Sequence, residues 1–264
     1  MKNNKIGRIK AIILRHMRVW VVNWSRLSDS LYWPPLALIL WGYVSVFLAD
    51  QGGSPNLLIV FLAGFIFWNI MQRSQEEMCM GFMEDLWNRN FTNIFATPIS
   101  LWEYLIAITI VGLIKLTFST ILVALIAVIV FQFNLLTIGI YLIPFIFSLM
   151  IVGWWVGFII NGLVFRFGYD VEALSWTLIF ILQPFSGVFY PIRVLPGWMQ
   201  IISRFIPSTY IFEGLRMLVF KGEVDGRLIF MSYVLNAIYF SLSILFFKKM
   251  FDIARDKGYL TKIF

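Results

Sequence analysis

The chain has 264 residues, 60% hydrophobic and only 13% charged, with a net charge of +7 and a mean hydropathy of +0.84. A soluble fold must solvate its exterior and carries about a quarter charged residues, so this composition excludes an ordinary water-soluble domain and makes lipid the surrounding medium. The basic residues cluster at the two ends beside apolar runs, which favours anionic lipid headgroups over nucleic acid as counter-charge, and a single Cys79 and a single His16 exclude an internal disulfide and a Cys/His metal cluster.

Residues 5–28 place Ile6, Ile9, Ile13, Met17, Trp20, Trp24 and Leu27 at steps of three and four, with Arg8, Arg15 and Arg26 roughly opposite and Arg18 to the side. A basic amphipathic helix of this kind is expected to lie in the membrane interface, apolar face down. A helix buried against other protein would use the same face. No small-residue cleavage site closely follows the first long apolar run, so the segment does not read as a signal peptide.

Six apolar runs follow, at 31–49, 56–72, 100–131, 138–165, 173–190 and 228–247, and each is read as a membrane span. Pro34 and Pro35 fall in the first turn of the first span, where missing N–H groups cost little. Ser100 and Glu103 have capping-box spacing at the head of the third, with Ile99 and Tyr104 placed as a hydrophobic staple. That run exceeds what a bilayer requires, so it is tilted or protrudes. Lys115 lies deep within it. The charge either serves a wet path or a substrate counter-ion, or snorkels to the cytoplasmic interface. In the fourth span Gly153 and Gly157 form G-x-x-x-G, with Asn161 and Gly162 one turn on. Small residues at this spacing admit a close helix partner, within the chain or in a second copy.

Two stretches do not fit the spanning pattern. Within the polar segment 73–100, residues 84–97 read as an amphipathic cytoplasmic helix with Trp87, Phe91, Ile94 and Phe95 on one face. Such a ridge docks into a groove of another protein or rests on the membrane surface. Between 191 and 227, two apolar helical pieces at 197–205 and 209–220 are separated by Pro207, and each is only ~13–18 Å long. Together they read as a hairpin that enters the bilayer and returns on the same side, with an interfacial loop as the alternative. Glu213 and Arg216 on its second piece pair with each other or serve as a gate.

Lys2, Lys5, Arg8, Lys10, Arg15, Arg18 and Arg26 precede the first span and Lys248, Lys249, Arg255, Lys257 and Lys262 follow the last, while the turns at 50–55 and 132–137 carry no basic residue. Both ends are therefore expected in the cytoplasm, with the hairpin outside. No G-x-x-x-x-G-K-[ST] loop, G-x-S-x-G elbow, H-E-x-x-H pair or C-x-x-C pair occurs, so the chain reads as neither an ATPase nor a hydrolase or metalloenzyme of those kinds.

The order of parts resembles the permease subunits of type-2 ATP-binding-cassette exporters. Two strings carry the likeness. Asn93-Ile94-Phe95-Ala96-Thr97-Pro98-Ile99-Ser100 is similar to the end of that family's coupling helix. Pro184-Phe185-Ser186-Gly187-Val188-Phe189-Tyr190-Pro191, followed by Leu195-Pro196-Gly197-Trp198, Ile206-Pro207 and Glu213-Gly214-Leu215-Arg216, is similar to its span-five-to-hairpin region.

The resemblance implies an all-α integral membrane protein, a single permease domain over 1–264 with six spans, an N-terminal interfacial helix and a re-entrant hairpin before the sixth span. It implies a machine of two permeases, with a second copy of this chain as the other, and two P-loop ATPase subunits in the bacterial inner membrane. ATP and Mg would bind on the partner and no cofactor on this chain. The coupling role falls on Asp85, Trp87, Arg89, Phe91, Ile94, Phe95, Thr97 and Pro98, and the gating role on Pro191, Pro196, Gly197, Pro207, Glu213 and Arg216. The cargo implied is an amphiphile, a drug or lipid. A lipid-linked polysaccharide of the O-antigen, capsule or teichoic-acid type is the alternative within the family. Polysaccharide exporters often carry adjacent Arg-Asp after span four, whereas Arg166 and Asp170 are separated here by Phe-Gly-Tyr. An ion-coupled carrier working alone is the competing class.

Overall fold

A computed structural model describes residues 5–51 and 55–257, and every regular element among them is a helix. α1 (Lys5–Val22) is separated from α2 (Trp24–Asp50) by Asn23, whose side chain accepts the Ser25 N–H and caps α2. The expected helix over 5–28 therefore ends at Val22, and Trp24 and Leu27 belong to α2. The same cap leaves Pro34 and Pro35 well inside α2 rather than in its first turn, and neither can donate to the carbonyl four residues back.

α1 is seated on protein, the second of the two uses its apolar face allows. Ile12, His16 and Trp20 are buried where α1 packs against α5 and α2, and Trp20 meets Phe118 edge-on at 5.7 Å. Its arginines find protein partners too. Arg8 pairs with Glu103 at 2.5 Å and Arg15 with Asp85 at 2.6 Å.

α3 (Pro55–Trp87) departs furthest from expectation. It is one helix of 33 residues, ~50 Å long, and does not stop at residue 72. Its second half stays helical and enclosed because its polar groups face partners on neighbouring helices rather than water. α3 contacts α2, α5, α6, α7 and α9 and so forms the axis of the bundle. Trp87 closes it, Arg89 turns the chain in a left-handed conformation (φ 50°), and the short α4 (Phe91–Phe95) follows.

α5 (Leu101–Phe131) starts on the expected capping box, with Ser100 and Glu103 each satisfying the other's backbone N–H. A 3-10 turn, Leu135–Tyr141, leads into α6 (Leu142–Phe167). The G-x-x-x-G pair of α6 finds its partner within the chain. A Cβ on Gly153 would lie 2.6 Å from the Met71 carbonyl oxygen and 2.8 Å from the Gln75 nitrogen, and one on Gly157 2.9 Å from Met78 Cγ. Polar groups fasten the opposite face of α6 to α10 (Gly226–Asp256). Ser148 and Ser232 share a 2.7 Å hydrogen bond, and the Asn236 amide donates to the Ser148 carbonyl at 3.1 Å.

Among the described residues five helices are long and apolar enough to cross a membrane, namely Trp24–Asp50, Asn56–Trp87, Leu101–Phe131, Leu135–Phe167 and Gly226–Asp256. The run read as a span over 173–190 holds a 13-residue apolar helix, α7 (Leu174–Ser186), ~20 Å long, after a 3-10 turn, Gly168–Val171. Its neighbours change steadily along α3. Phe165 packs on Phe82, the Ser175 carbonyl accepts from Gln75, and Val188 lies against Gly64.

A 3-10 turn, Ile192–Val194, α8 (Gly197–Ser203) and α9 (Pro207–Lys221) complete the fold. The turn between α8 and α9 lies beside α10, several residues in from its start. Ser232 donates to the Pro207 carbonyl and Tyr239 to the Phe205 carbonyl, both at 2.8 Å.

Candidate functional site

The residues assigned to coupling gather around α4, but not as an outward ridge. Phe91 is 1% exposed and stacks among Phe82 (4.6 Å), Tyr104 (5.9 Å) and Phe165 (6.2 Å). Ile94 is buried too, and Trp87 is half-buried beneath the Arg26 guanidinium at 4.9 Å. The apolar face of this segment closes the chain's own core, so the expected docking ridge is corrected to an inward anchor. The side chain of Phe95 lies outside the described residues. What faces outward is the polar rim, Asn88, Arg89, Asn93, Ala96, Thr97 and Pro98.

Beneath that rim is a charged plug. Asp85, expected on the exposed helix, is buried at the end of α3. It accepts from Arg15 at 2.6 Å, from the Tyr104 hydroxyl at 2.6 Å and from the Asn90 amide at 3.3 Å. Glu84 faces Arg26 at 3.4 Å. His16 sits between the two carboxylates, Nδ1 3.2 Å from Glu84 and Nε2 3.4 Å from Asp85. Burial disfavours a charged imidazole here and nearby Arg15 adds to that, yet hydrogen bonds to Asp85 and Glu84 outweigh both and raise the pKa of His16 above its ordinary value.

The sign follows from linkage. A raised folded-state pKa contributes stability that is full below the unfolded-state pKa of about 6.5 and is lost as pH climbs through the folded value. Thermal midpoints of wild type and His16→Gln should therefore converge as pH rises from acid to alkaline. A constant gap across that range would refute this role.

A second buried cluster lies further along α3 and was not expected. Arg73 pairs with Glu76 and Glu77, both at 3.1 Å, and with Asp29 of α2 at 3.4 Å, while Lys115 of α5 reaches Glu77 at 3.3 Å. Lys115 is buried and neither snorkels nor stands unpaired. The signal was the spacing of Arg73, Glu76 and Glu77, three charges on one helical face just past an apolar run. Among the described residues no group of three or more His, Cys, Asp or Glu is placed to hold a metal ion.

Beside this cluster a cleft of about 490 Å³ opens between α2, α3 and α7. Trp33, Trp41, Trp68 and Trp176 line it, together with the amides of Asn69, Gln72 and Gln183.

The gating residues lie at the other end of α3. Pro191 precedes the Ile192–Val194 turn, Pro196 and Gly197 open α8, and Pro207 is the first residue of α9. Glu213 and Arg216 do pair, at 3.1 Å, and each also holds the turn before α8. Glu213 accepts the Ile192 N–H at 3.0 Å and Arg216 donates to the Gly187 carbonyl at 2.5 Å. Glu213, Arg216 and Pro191 line one cavity together with Leu57 and Val60 near the start of α3. Pro196 and Gly197 stay exposed at the rim.

No curated protein matches the chain. The family model described as ABC-2 type transporter matches residues 8–220, a stretch that holds the α4 plug, the aromatic cleft and both short helices before α10. The chain belongs to the ABC-2 type transporter family, and its five apolar helices make it a multi-pass membrane component of such a transporter.

Proposed function

We propose that the chain is the permease of an exporter driven by a separate P-loop ATPase that binds ATP and Mg, with two copies of each subunit in a bacterial inner membrane. The observation that carries this reading is the α4 rim, a short polar surface held rigid by buried ion pairs and backed by the Phe91 anchor. A motor that pushes on a membrane protein needs such a stiff handle. On this reading the rim and both chain ends face the cytoplasm and the chain crosses six times. The fifth of these crossings is the segment read over 173–190, and the stepwise contacts of Phe165, Ser175 and Val188 along α3 support it. The α8–α9 hairpin re-enters from the outside, supported by the bonds of its turn to Ser232 and Tyr239.

Arg89→Glu changes the rim without touching the core. Co-assembled with its ATPase, this variant should fold as wild type and export about tenfold less, since reversing one charge in a docking surface costs on the order of 1.4 kcal/mol. Undiminished export, with ATPase activity still responsive to cargo, would remove the rim from the coupling role.

The cargo on this reading is an amphiphile entering from the cytoplasm or inner leaflet. The tryptophan-and-amide cleft supports a lipid-linked polysaccharide as a second cargo class, because indole faces stack on sugar rings while amides bond hydroxyls. Stimulation of the motor by a glycan-bearing lipid but not by the bare lipid distinguishes the two. Lys115, which a carrier acting alone would use, is already neutralised by Glu77, and this favours the motor-driven class.

A further inference from the structure

At the hairpin end of the bundle a cavity of about 570 Å³ is bounded by α3, α8, α9 and the turn before α8. Arg193, Arg204, Arg216 and Lys221 line it against a single carboxylate, Glu213. Among the described residues no acidic group lies in ion-pair range of Arg193, Arg204 or Lys221, which stand exposed at its rim. Arg216 is different. It is 8% exposed, and its Nη2 is committed to the Gly187 carbonyl and Glu213, but Nε and Nη1 are buried and meet no acceptor. A guanidinium carries five N–H bonds, and burying some of them unmatched costs free energy that a bound anion recovers. Leu57, Val60 and Phe220 supply an apolar wall beside this charge.

From this arrangement we infer that the cavity binds the phosphate headgroup of an amphiphile, with Arg216 donating Nε–H and Nη1–H to phosphate oxygens. Arg204 and Lys221 supply charge at the mouth, and the acyl chain lies on Leu57, Val60 and Phe220. Phosphate suits the site because several oxygens accept from donors on different elements at once. The apolar wall is what separates an amphiphile from a free anion. The assignment concerns binding alone and stands apart from the export reading, so a failed export assay leaves it untouched.

The test uses the full chain purified in a neutral detergent, with adducts counted by native mass spectrometry. The probes are dioctanoyl phosphatidic acid, dioctanoylglycerol with the same chains and no phosphate, and inorganic phosphate. Phosphatidic acid is expected to bind, dioctanoylglycerol to bind far more weakly, and inorganic phosphate to compete only in large excess. Arg216→Gln should weaken phosphatidic acid binding by about tenfold or more, the effect of removing a charged donor from a buried hydrogen bond. Because Arg216 also holds Gly187, the exposed double variant Arg204→Gln/Lys221→Gln gives an independent reading on an intact fold, with an expected loss of about fivefold. Equal binding by wild type and the double variant overturns the proposal, as does equal binding of dioctanoylglycerol. Inorganic phosphate displacing the lipid at equal concentration marks a free-anion site and overturns the amphiphile assignment.

Discussion

Gly153→Val is expected to force α6 away from α3 and to destabilise the protein by roughly 3 kcal/mol, the upper end of overpacking costs. The hydrogen at this position is the only substituent the packing admits. A Cβ would approach the Met71 oxygen and the Gln75 nitrogen within 2.8 Å, and both are backbone atoms of the central helix that cannot swing aside as a side chain would. The shift would also strain the Ser74 hydroxyl bond to the Met150 carbonyl, 3.1 Å long and on the same interface. Gly197→Ala is the matched control, since a Cβ there meets nothing within 4 Å. Unfolding midpoints in detergent should fall for the first variant and stay put for the second. Equal midpoints would mean that α3 and α6 are not packed through this seam.

Asp85→Ala is expected to be comparably severe for a different reason. The substitution removes the shared acceptor of Arg15, Tyr104 and Asn90 and a partner of His16, leaving the Arg15 guanidinium without its carboxylate and the buried Tyr104 hydroxyl with the longer 3.3 Å bond to the Gly81 carbonyl. Removing one member of a buried ionic cluster costs about 3–5 kcal/mol, mostly through the charge left behind. Because Arg15 and His16 belong to α1, the loss should appear first as release of that helix. Limited proteolysis should cut α1 in the variant at protease levels that spare wild type, and the thermal midpoint should drop. Arg8→Ala, which breaks a single pair and leaves Glu103 bonded to the Ser100 N–H, should cost less. If Asp85→Ala and Arg8→Ala behave alike, the plug is not what seats α1.

Much of this architecture was legible because its signals are local. The Ser100–Glu103 cap needs only four consecutive positions, and the Gly153–Gly157 spacing states that something packs closely without saying what. The two prolines around the short helices likewise mark breaks through missing N–H groups. What stayed hidden was the sign of each amphipathic face. Phe91 and Ile94 form a stripe equally suited to a foreign groove and to their own core, and only Phe82, Tyr104 and Phe165, distant in sequence, decide for the core. The polar half of α3 misleads because Arg73, Glu76, Glu77 and Asp85 look solvated until their partners are known. Those partners, Asp29, Lys115 and Arg15, come from three other helices. Charges enclosed by mutual pairing cannot be told from exposed ones by periodicity alone.

The unbroken run of α3 from Pro55 to Trp87 has a mechanical consequence. A helix that begins beside the cationic cavity and ends under the polar rim turns a small tilt at one end of the bundle into translation at the other. About a pivot near the middle of this ~50 Å rod, a tilt of about 5° displaces each end by about 2 Å in opposite directions, enough to loosen a pair of packed side chains. Such a lever needs no relay of intermediate contacts, only a fulcrum. The close seam with α6 at Gly153, near the middle of the rod, is the tightest backbone contact suited to that part.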